Sequence, residues 1–312
     1  MRTEPTESIV TSSGISLAIR DFGGDGVAGL VLIHGLSRTL VDWTVLAPML
    51  ATRHHVVAMD VRGHGRSGDG PWSWKAVVDD VTVVTDHCRM VNPAVMGHSL
   101  GGMIASMWGR EHPASAGVVN LDGHGNPRAD QYVDLDPAWV TERRAELEAL
   151  QRHQLAALSG PLSPAQIDAL TNQQKAVAGS VGAPGEVFVE GLQRMLDVRG
   201  DVAYLRPAPD GFGREIYEGL DHIDMFTIYR EVRCPLLLFN AATPDEGGRS
   251  TAAGPAWIAE LTSAFRRGQT RDLIALAAVQ PNVRLETVTG THGLLFEQSQ
   301  AIAHLVLAFL AS

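Results

Sequence analysis

Uninterrupted apolar runs, rather than alternating ones, characterise the first part of the chain. Residues 30–33, 56–59 and 94–96 form three such runs, and segments of helical character, 40–50 and 74–90, lie between them. Strands that helices cover on both faces have this pattern, because neither face of the strand meets water. The alternation therefore predicts a doubly wound α/β sheet.

Two further segments extend this sheet. Residues 15–22 alternate apolar and polar positions and lead into the glycine-rich stretch 23–26, which predicts a hairpin turn there. An apolar run at residues 117–121 predicts another buried strand, and Asp122 follows it directly.

The pattern changes between residues 124 and 230. Ala, Leu, Gln, Glu and Arg predominate here and favour helices, whereas apolar strand runs are few and short. Strand and helix patterns then resume at residues 234–239, 256–279, 283–288 and 294–310. We therefore expect a core domain formed by residues 1–123 and 231–312, with a helical cap subdomain, residues 124–230, inserted into it.

Composition narrows the possible partners. The chain has 312 residues, 45% of them hydrophobic and 19% charged, as in an ordinary globular protein. Its net charge of −10 argues against nucleic acid or an anionic membrane as a partner. No run of about 18 apolar residues is present, and the N-terminal stretch contains no apolar signal segment, so we expect a cytoplasmic protein.

Two features raise the question of a cofactor, and neither supports one. The 12 histidines include no H-E-x-x-H motif and no paired Cys/His spacing, so no metal site is predicted. Residues 63–68 satisfy G-x-G-x-x-G after a strand, but residues 69–71 continue a loop where a dinucleotide site needs a helix. We expect no cofactor, and a structural turn that Asp60 and Arg62 brace.

The strongest chemical signal is Gly97-His98-Ser99-Leu100-Gly101, which lies between an apolar run and a helix rich in small residues. A G-x-S-x-G sequence in this setting is typical of a nucleophile elbow, a tight strand-to-helix turn that exposes the serine. Because a serine hydroxyl needs a base to remove its proton, Ser99 predicts a histidine and a carboxylate elsewhere in the chain.

The positions of three further residues in the chain predict the base and the oxyanion site. His292 lies in the loop after the last predicted strand, where such a base is expected, and we assign it that role. A developing oxyanion needs two N–H donors, and we expect them from Leu100, next to the nucleophile, and from Leu36, in the loop after the strand at 30–33. His34 in that loop is expected to bridge loops rather than to touch substrate.

These motifs together resemble the α/β-hydrolase superfamily, in its capped epoxide-hydrolase/esterase-like branch. The resemblance rests on Ile33-His34-Gly35, on the D-x-R-G-H-G-R-S stretch 60–67, on the elbow and on Thr291-His292-Gly293 before the final helix. It implies a mostly parallel eight-stranded sheet with helices on both faces and an inserted helical cap. Epoxide hydrolases and haloalkane dehalogenases of this branch have an aspartate where Ser99 stands, so the resemblance argues against both activities.

The triad acid has two candidates. In most relatives it follows the strand that here ends near Phe239, and Asp245 lies close to that position, although the expected glycine is missing and the spacing is late. One subgroup of relatives has the acid one strand earlier, where Asp122 stands. We favour Asp122 and keep Asp245 as the alternative.

These residues predict a serine hydrolase that cleaves an ester, lactone or thioester of a small hydrophobic molecule through an acyl-enzyme. The cap is expected to wall an apolar pocket with Trp139, Phe188, Tyr204 and Phe212, unless these aromatic residues form the cap's own core. A C–C bond hydrolase, a cofactor-free perhydrolase and a non-catalytic small-molecule receptor stay open as alternatives. The chain is expected to be a monomer or a homodimer.

Overall fold

The computed structural model describes residues 4–24, 26, 28–156, 158–207, 212–242 and 255–311. Its strands are β1 (Thr6–Ser12), β2 (Ile15–Gly23), β3 (Gly29–Ile33), β4 (His55–Met59), β5 (Ala94–His98), β6 (Gly117–Leu121), β7 (Leu196–Arg199), β8 (Val202–Leu205), β9 (Leu236–Ala242) and β10 (Val283–Thr289). Its α-helices are α1 (Ala47–Leu50), α2 (Trp74–His87), α3 (Leu100–Glu111), α4 (Pro137–Ala156), α5 (Pro164–Ser180), α6 (Gly185–Met195), α7 (Phe212–Asp221), α8 (Met225–Glu231), α9 (Ala256–Val279), α10 (Leu294–Glu297) and α11 (Ser299–Leu310).

Eight of these strands form one sheet, in the order β1-β2-β4-β3-β5-β6-β9-β10. The pairs from β4 to β10 are all parallel, whereas β2 pairs antiparallel with both β1 and β4. The carboxyl ends of β5, β6 and β10 therefore lie at one edge of the sheet. This arrangement confirms the predicted mostly parallel eight-stranded sheet.

The central strands are buried on both faces, which explains their uninterrupted apolar runs. In β3, Val31 and Ile33 belong to the apolar layer that contains side chains of α2 and α3. Leu30 and Leu32 belong to the opposite layer, which contains side chains of α1 and α11. Since successive strand residues point to opposite faces, every residue of such a strand meets a helix layer.

The predicted hairpin turn at residues 23–26 is wrong. The hairpin joins β1 to β2 through Ser13-Gly14, and the chain after β2 leads on to the interior strand β3. Gly24 serves a close approach instead, because a Cβ there would lie 1.9 Å from the carbonyl oxygen of His54. β1 gave no strand signal because most of its side chains are exposed.

A helical insert, α4–α8 with the β7–β8 hairpin, separates β6 from β9. Buried polar contacts join it to the loops of the sheet. Arg194 in α6 donates to the Asp60 carboxylate over 2.7 Å, and Arg206 donates to the carbonyl oxygens of Gly65 and Ser67. The insert is present as predicted, and its division from the core at residues 124 and 230 stays a prediction.

Two predicted helices are divided into shorter pieces. Segment 40–50 contains a 3-10 helix, Leu40–Thr44, followed by α1, and the closing segment 294–310 breaks into α10 and α11 at Gln298. Within the described residues, no helix is both long and apolar enough to span a membrane.

Candidate active site

Ser99 lies at a tight turn between β5 and α3. Its backbone has φ 54° and ψ −119°, a conformation that costs energy for a residue with a side chain and is typical of functional turns. The flanking glycines are required, since a Cβ at Gly97 would lie 2.0 Å from the Gly101 oxygen and one at Gly101 would lie 2.1 Å from the Ile33 oxygen. This is the geometry that the elbow motif predicts.

His292 and Asp122 contact each other across the sheet edge. Asp122 directly follows β6, and His292 lies in the loop between β10 and α10. The imidazole Nδ1 donates a hydrogen bond to Asp122 Oδ2 over 2.7 Å. The Asp122 side chain has no exposed surface, whereas the His292 side chain is 49% exposed. The carboxylate is therefore buried, and the imidazole extends from it toward the pocket.

The other oxygen of Asp122 is held by two further donors. Oδ1 accepts from the backbone N–H of Ala241 over 3.2 Å and from Arg266 Nη1 over 3.0 Å. Burial raises the pKa of the Asp122 carboxyl, but the hydrogen bond from His292 and the charge of Arg266 outweigh it and hold that pKa well below its usual value. An ionised Asp122 accepts a hydrogen bond from Nδ1–H and keeps the proton on that nitrogen, so His292 Nε2 is left with a lone pair for use as a base.

Ser99 and His292 line the same pocket, which has a volume of about 230 Å³. No hydrogen bond joins their side chains among the described residues, and such bonds often tighten only when substrate is present. His98 links their two loops. Its Nε2 donates to the His292 carbonyl oxygen over 2.8 Å, its ring centroid lies 4.9 Å from that of His292, and burial lowers its pKa to about 4.

Leu36 and Leu100, from which the oxyanion donors are expected, also line this pocket. Leu100 is the first residue of α3, so its N–H has no carbonyl partner within the helix. Neither N–H donates to a backbone carbonyl in the described part of the chain. Gly35 allows the close approach of the Leu36 loop, because a Cβ there would lie 3.2 Å from Ser99 Cβ.

The loops behind the pocket are braced by buried polar side chains. His34 donates to the Gly35 oxygen over 2.7 Å and accepts from the Val61 N–H over 3.0 Å, which is the loop-bridging role expected for it. Arg62 pairs with Asp80 over 2.6 Å. The glycine-rich stretch 63–68 remains a loop, and α2 begins only at Trp74.

Asp245, the alternative acid, lies outside the described residues. Strand β9, which precedes it, ends at Ala242. The structure therefore brings Ser99, His292 and Asp122 together and leaves the role of Asp245 a prediction.

The pocket wall differs from the expected apolar cap. α9 supplies Phe265, Arg266 and Gln269, and the insert supplies Leu220 together with the segment leading into it. The sequence predicted this 24-residue helix between the last two strands. Its periodicity did not show which face of the helix lies against the site.

The aromatic residues expected in the pocket lie elsewhere in the insert or outside the described side chains. Phe188 packs against Phe296 with the ring centroids 4.7 Å apart, Trp139 packs near α9, and Tyr204 lies under Arg199. The side chain of Phe212 is not among those described. Phe188 and Trp139 thus pack against α10 and α9, outside the insert, so they form neither the pocket wall nor a core of the insert alone.

His124, two residues after Asp122, is a buried residue of the pocket wall. Its Nε2 donates to the Phe239 oxygen over 2.9 Å and its Nδ1 pairs with the Tyr229 hydroxyl over 2.9 Å. Tyr229 also contacts Asn120 and Gly123, which fixes the turn that carries Asp122. No group of three His, Cys, Asp or Glu side chains arranged to hold a metal ion occurs among the described residues.

Comparison with known proteins agrees with this fold. A family model described as the alpha/beta hydrolase fold matches residues 30–159. The crystal structure of E-2-(acetamidomethylene)succinate hydrolase superposes with a TM-score of 0.71, at 18% identity, over 99% of this chain and 100% of that chain. The chain therefore has the fold of the α/β hydrolases, and the family match itself covers residues 30–159.

Curated relatives match more locally. Esterase YbfF of Escherichia coli (strain K12) is 29% identical over 150 residues, a match that covers 47% of this chain and 50% of the relative. The dihydrolipoyllysine-residue acetyltransferase component of the acetoin cleaving system of Pseudomonas putida is 32% identical over 118 residues, which is 36% of this chain and 32% of the relative. The chain thus spans a half or less of the length of these relatives.

Proposed function

We propose that the protein is a serine hydrolase that cleaves an ester, lactone or thioester bond of a small molecule. The observation that carries this proposal is the 2.7 Å hydrogen bond between His292 and a buried Asp122, in one pocket with the strained Ser99. This constellation combines a nucleophile, a base and an orienting acid, which acyl transfer requires.

The proposed reaction proceeds in two halves. His292 Nε2 takes the Ser99 proton as Oγ attacks the carbonyl carbon, and the N–H groups of Leu36 and Leu100 stabilise the oxyanion. The tetrahedral intermediate then expels the alcohol or thiol, which receives the proton from His292, and an acyl-Ser99 ester remains. Water attacks this ester with His292 again as base, so that the acid product and free Ser99 are released.

Several features support the proposed roles. Asp122 stays ionised at neutral pH and so stabilises the imidazolium that forms in each half-reaction. The N-terminus of α3 points its free N–H groups at the Ser99 turn, where negative charge develops. We further propose that residues 124–230 form the cap subdomain and that the protein acts in the cytoplasm as a monomer or homodimer.

Fluorophosphonate labelling followed by intact-mass measurement and peptide mapping tests the proposal. We expect one adduct, on Ser99, that is absent from the Ser99→Ala variant. The Ser37→Gly variant is the matched control, because Ser37 is an exposed serine next to Leu36 with φ 54° that glycine tolerates.

Two outcomes would contradict a hydrolase. An adduct on another serine would reject the assigned nucleophile. Folded protein with no adduct and no turnover of an ester, lactone and thioester panel would favour the small-molecule receptor.

A further inference from the structure

The pocket beside Ser99 presents a positive charge. The guanidinium of Arg266 lines the pocket and its side chain is 26% exposed, whereas the side chain of its partner Asp122 has no exposed surface. The anion of this ion pair is thus covered, and the cation faces the cavity. Asp122 is also the only acidic residue among the described pocket-lining residues, so no free carboxylate there would repel an anionic ligand.

Gln269 extends the same polar wall. It lies one helical turn after Arg266, is 3% exposed, and its Oε1 accepts from Arg266 Nη1 over 3.0 Å. The amide nitrogen of Gln269 has no hydrogen-bond partner among the described residues, and neither have Nε and Nη2 of Arg266. None of these three nitrogens is among the buried polar atoms that lack a partner, so each is accessible from the pocket and free to donate to a ligand that accepts hydrogen bonds.

A carboxylate fits this set of donors best. It accepts two parallel hydrogen bonds from a guanidinium, and its remaining lone pairs can accept from a neighbouring amide. Arg266 can serve in this way because it uses one nitrogen for Asp122 and Gln269 and keeps the others. A purely apolar acyl group would leave all these donors without a partner, so they favour a charged substrate group over the expected hydrophobic one.

We infer that the substrate carries a carboxylate group besides the bond that is cleaved, and that Arg266 and Gln269 bind it. A half-ester of a dicarboxylic acid is the simplest substrate of this class. This inference rests on the proposed function for its catalytic part, but the binding of the carboxylate does not depend on turnover.

A pair of esters of equal size tests the inference. Monophenyl adipate carries a terminal carboxylate where phenyl hexanoate carries a methyl group. We expect the wild-type kcat/KM to be about tenfold or more higher for the monophenyl adipate, in keeping with a charged hydrogen-bonded contact. In Arg266→Met this ratio should fall to about one.

The ratio of kcat/KM for the two esters separates recognition of the substrate carboxylate by Arg266 from positioning of Asp122. Because Arg266 also contacts Asp122, its loss lowers turnover of both esters, and that common loss cancels in the ratio. Arg267→Met is the matched control, since Arg267 is a more exposed neighbour on α9 that contacts Ser263 and Asp134, and it should leave the ratio unchanged. A wild-type ratio of one or less, or an equal ratio in Arg266→Met, would overturn the inference.

A binding measurement distinguishes failure of this inference from failure of the proposed function. Calorimetry of the Ser99→Ala variant should show binding of adipate that is lost in Ser99→Ala/Arg266→Met, with no such difference for dimethyl adipate. Adipate binding without hydrolysis of either ester would reject the hydrolase and support the carboxylate site. Absence of adipate binding together with hydrolysis of phenyl hexanoate alone would reject the carboxylate site and support the hydrolase.

Discussion

Two aspartates at the carboxyl edge of the sheet, Asp60 after β4 and Asp122 after β6, have similar surroundings but different proposed roles. Each side chain has no exposed surface, each accepts from backbone N–H, and each pairs with an arginine from outside the sheet. Asp60 accepts from Leu40, Arg66 and Arg194, so both of its oxygens are occupied by fixed groups.

Asp122 differs in the partner of its second oxygen. Oδ2 accepts from the half-exposed imidazole of His292, which borders the pocket, while Oδ1 is held by Ala241 and Arg266. The comparison teaches that burial and an arginine partner do not define a catalytic acid. What distinguishes Asp122 is one oxygen that accepts from a half-exposed imidazole, the proposed general base.

Replacing Asp122 should have the largest effect. Asp122→Asn leaves the shape of the site but removes the acceptor that orients His292 and stabilises its charge, so we expect kcat to fall by about 10³–10⁴-fold. Steady-state hydrolysis of a phenyl ester measures this, with circular dichroism to verify folding. A mild loss in Asp122→Asn and a severe one in Asp245→Asn would show that Asp245 is the acid.

Replacing Asp60 should affect stability far more than chemistry. Asp60→Asn removes the buried carboxylate that faces Arg194, whose guanidinium then keeps only Glu7, and removing one partner of a buried pair costs up to about 3–5 kcal/mol. Urea denaturation measures this loss, and fluorophosphonate labelling of Ser99 should persist at a temperature where the variant is folded. If Asp60→Asn abolished labelling in folded protein, the distinction between the two aspartates would fail.

Lowering the pH should remove the contribution of the Asp122 carboxylate to the free energy of unfolding. Its pKa is held below the usual value of 3.8, so its ionised form stabilises the native state fully above that pH and loses this effect as the pH falls through its native pKa. The difference in unfolding free energy between wild type and Asp122→Asn should therefore be constant between pH 7 and 5 and shrink below about pH 3.8. A difference already lost at pH 5 would contradict the buried hydrogen-bonded carboxylate.

The smallest effect is expected at the loop that carries His292. Glu297 accepts from the N–H and the hydroxyl of Thr291, which fixes this loop. Glu297→Gln should lower kcat by up to about tenfold through a small displacement of the imidazole, with KM nearly unchanged. Glu286→Gln on β10 is the control, because Glu286 pairs only with Arg284 among the described residues. Equal losses of kcat in both variants would show that Glu297 does not position His292.

Much of the fold and part of the site follow from local sequence patterns. The central strands were predictable because helices cover both of their faces, and the turn at Ser99 because only glycine fits at Gly97 and Gly101. Exposed β1 has no such pattern, and the glycines before β3 indicated a turn where they in fact permit close packing against His54.

The arginine contacts could not be predicted in the same way. Arg266 contacts Asp122, which lies 144 residues earlier in the chain. The next residue, Arg267, is also an arginine but contacts Asp134 instead. Successive residues of a helix lie on different sides of it, so the choice between them depends on how α9 packs against the sheet. The pairing of Arg194 with Asp60 depends in the same way on the position of the insert.

The central claim, that Asp122 activates Ser99 through His292 whereas Asp60 only braces the fold, is tested most directly by the rate of fluorophosphonate labelling. The second-order rate constant for the Ser99 adduct would be measured for wild type, Asp122→Asn and Asp60→Asn under folded conditions. We predict a decrease of about 100-fold or more in Asp122→Asn and near wild-type labelling in Asp60→Asn. Labelling of Asp122→Asn at the wild-type rate would contradict this account.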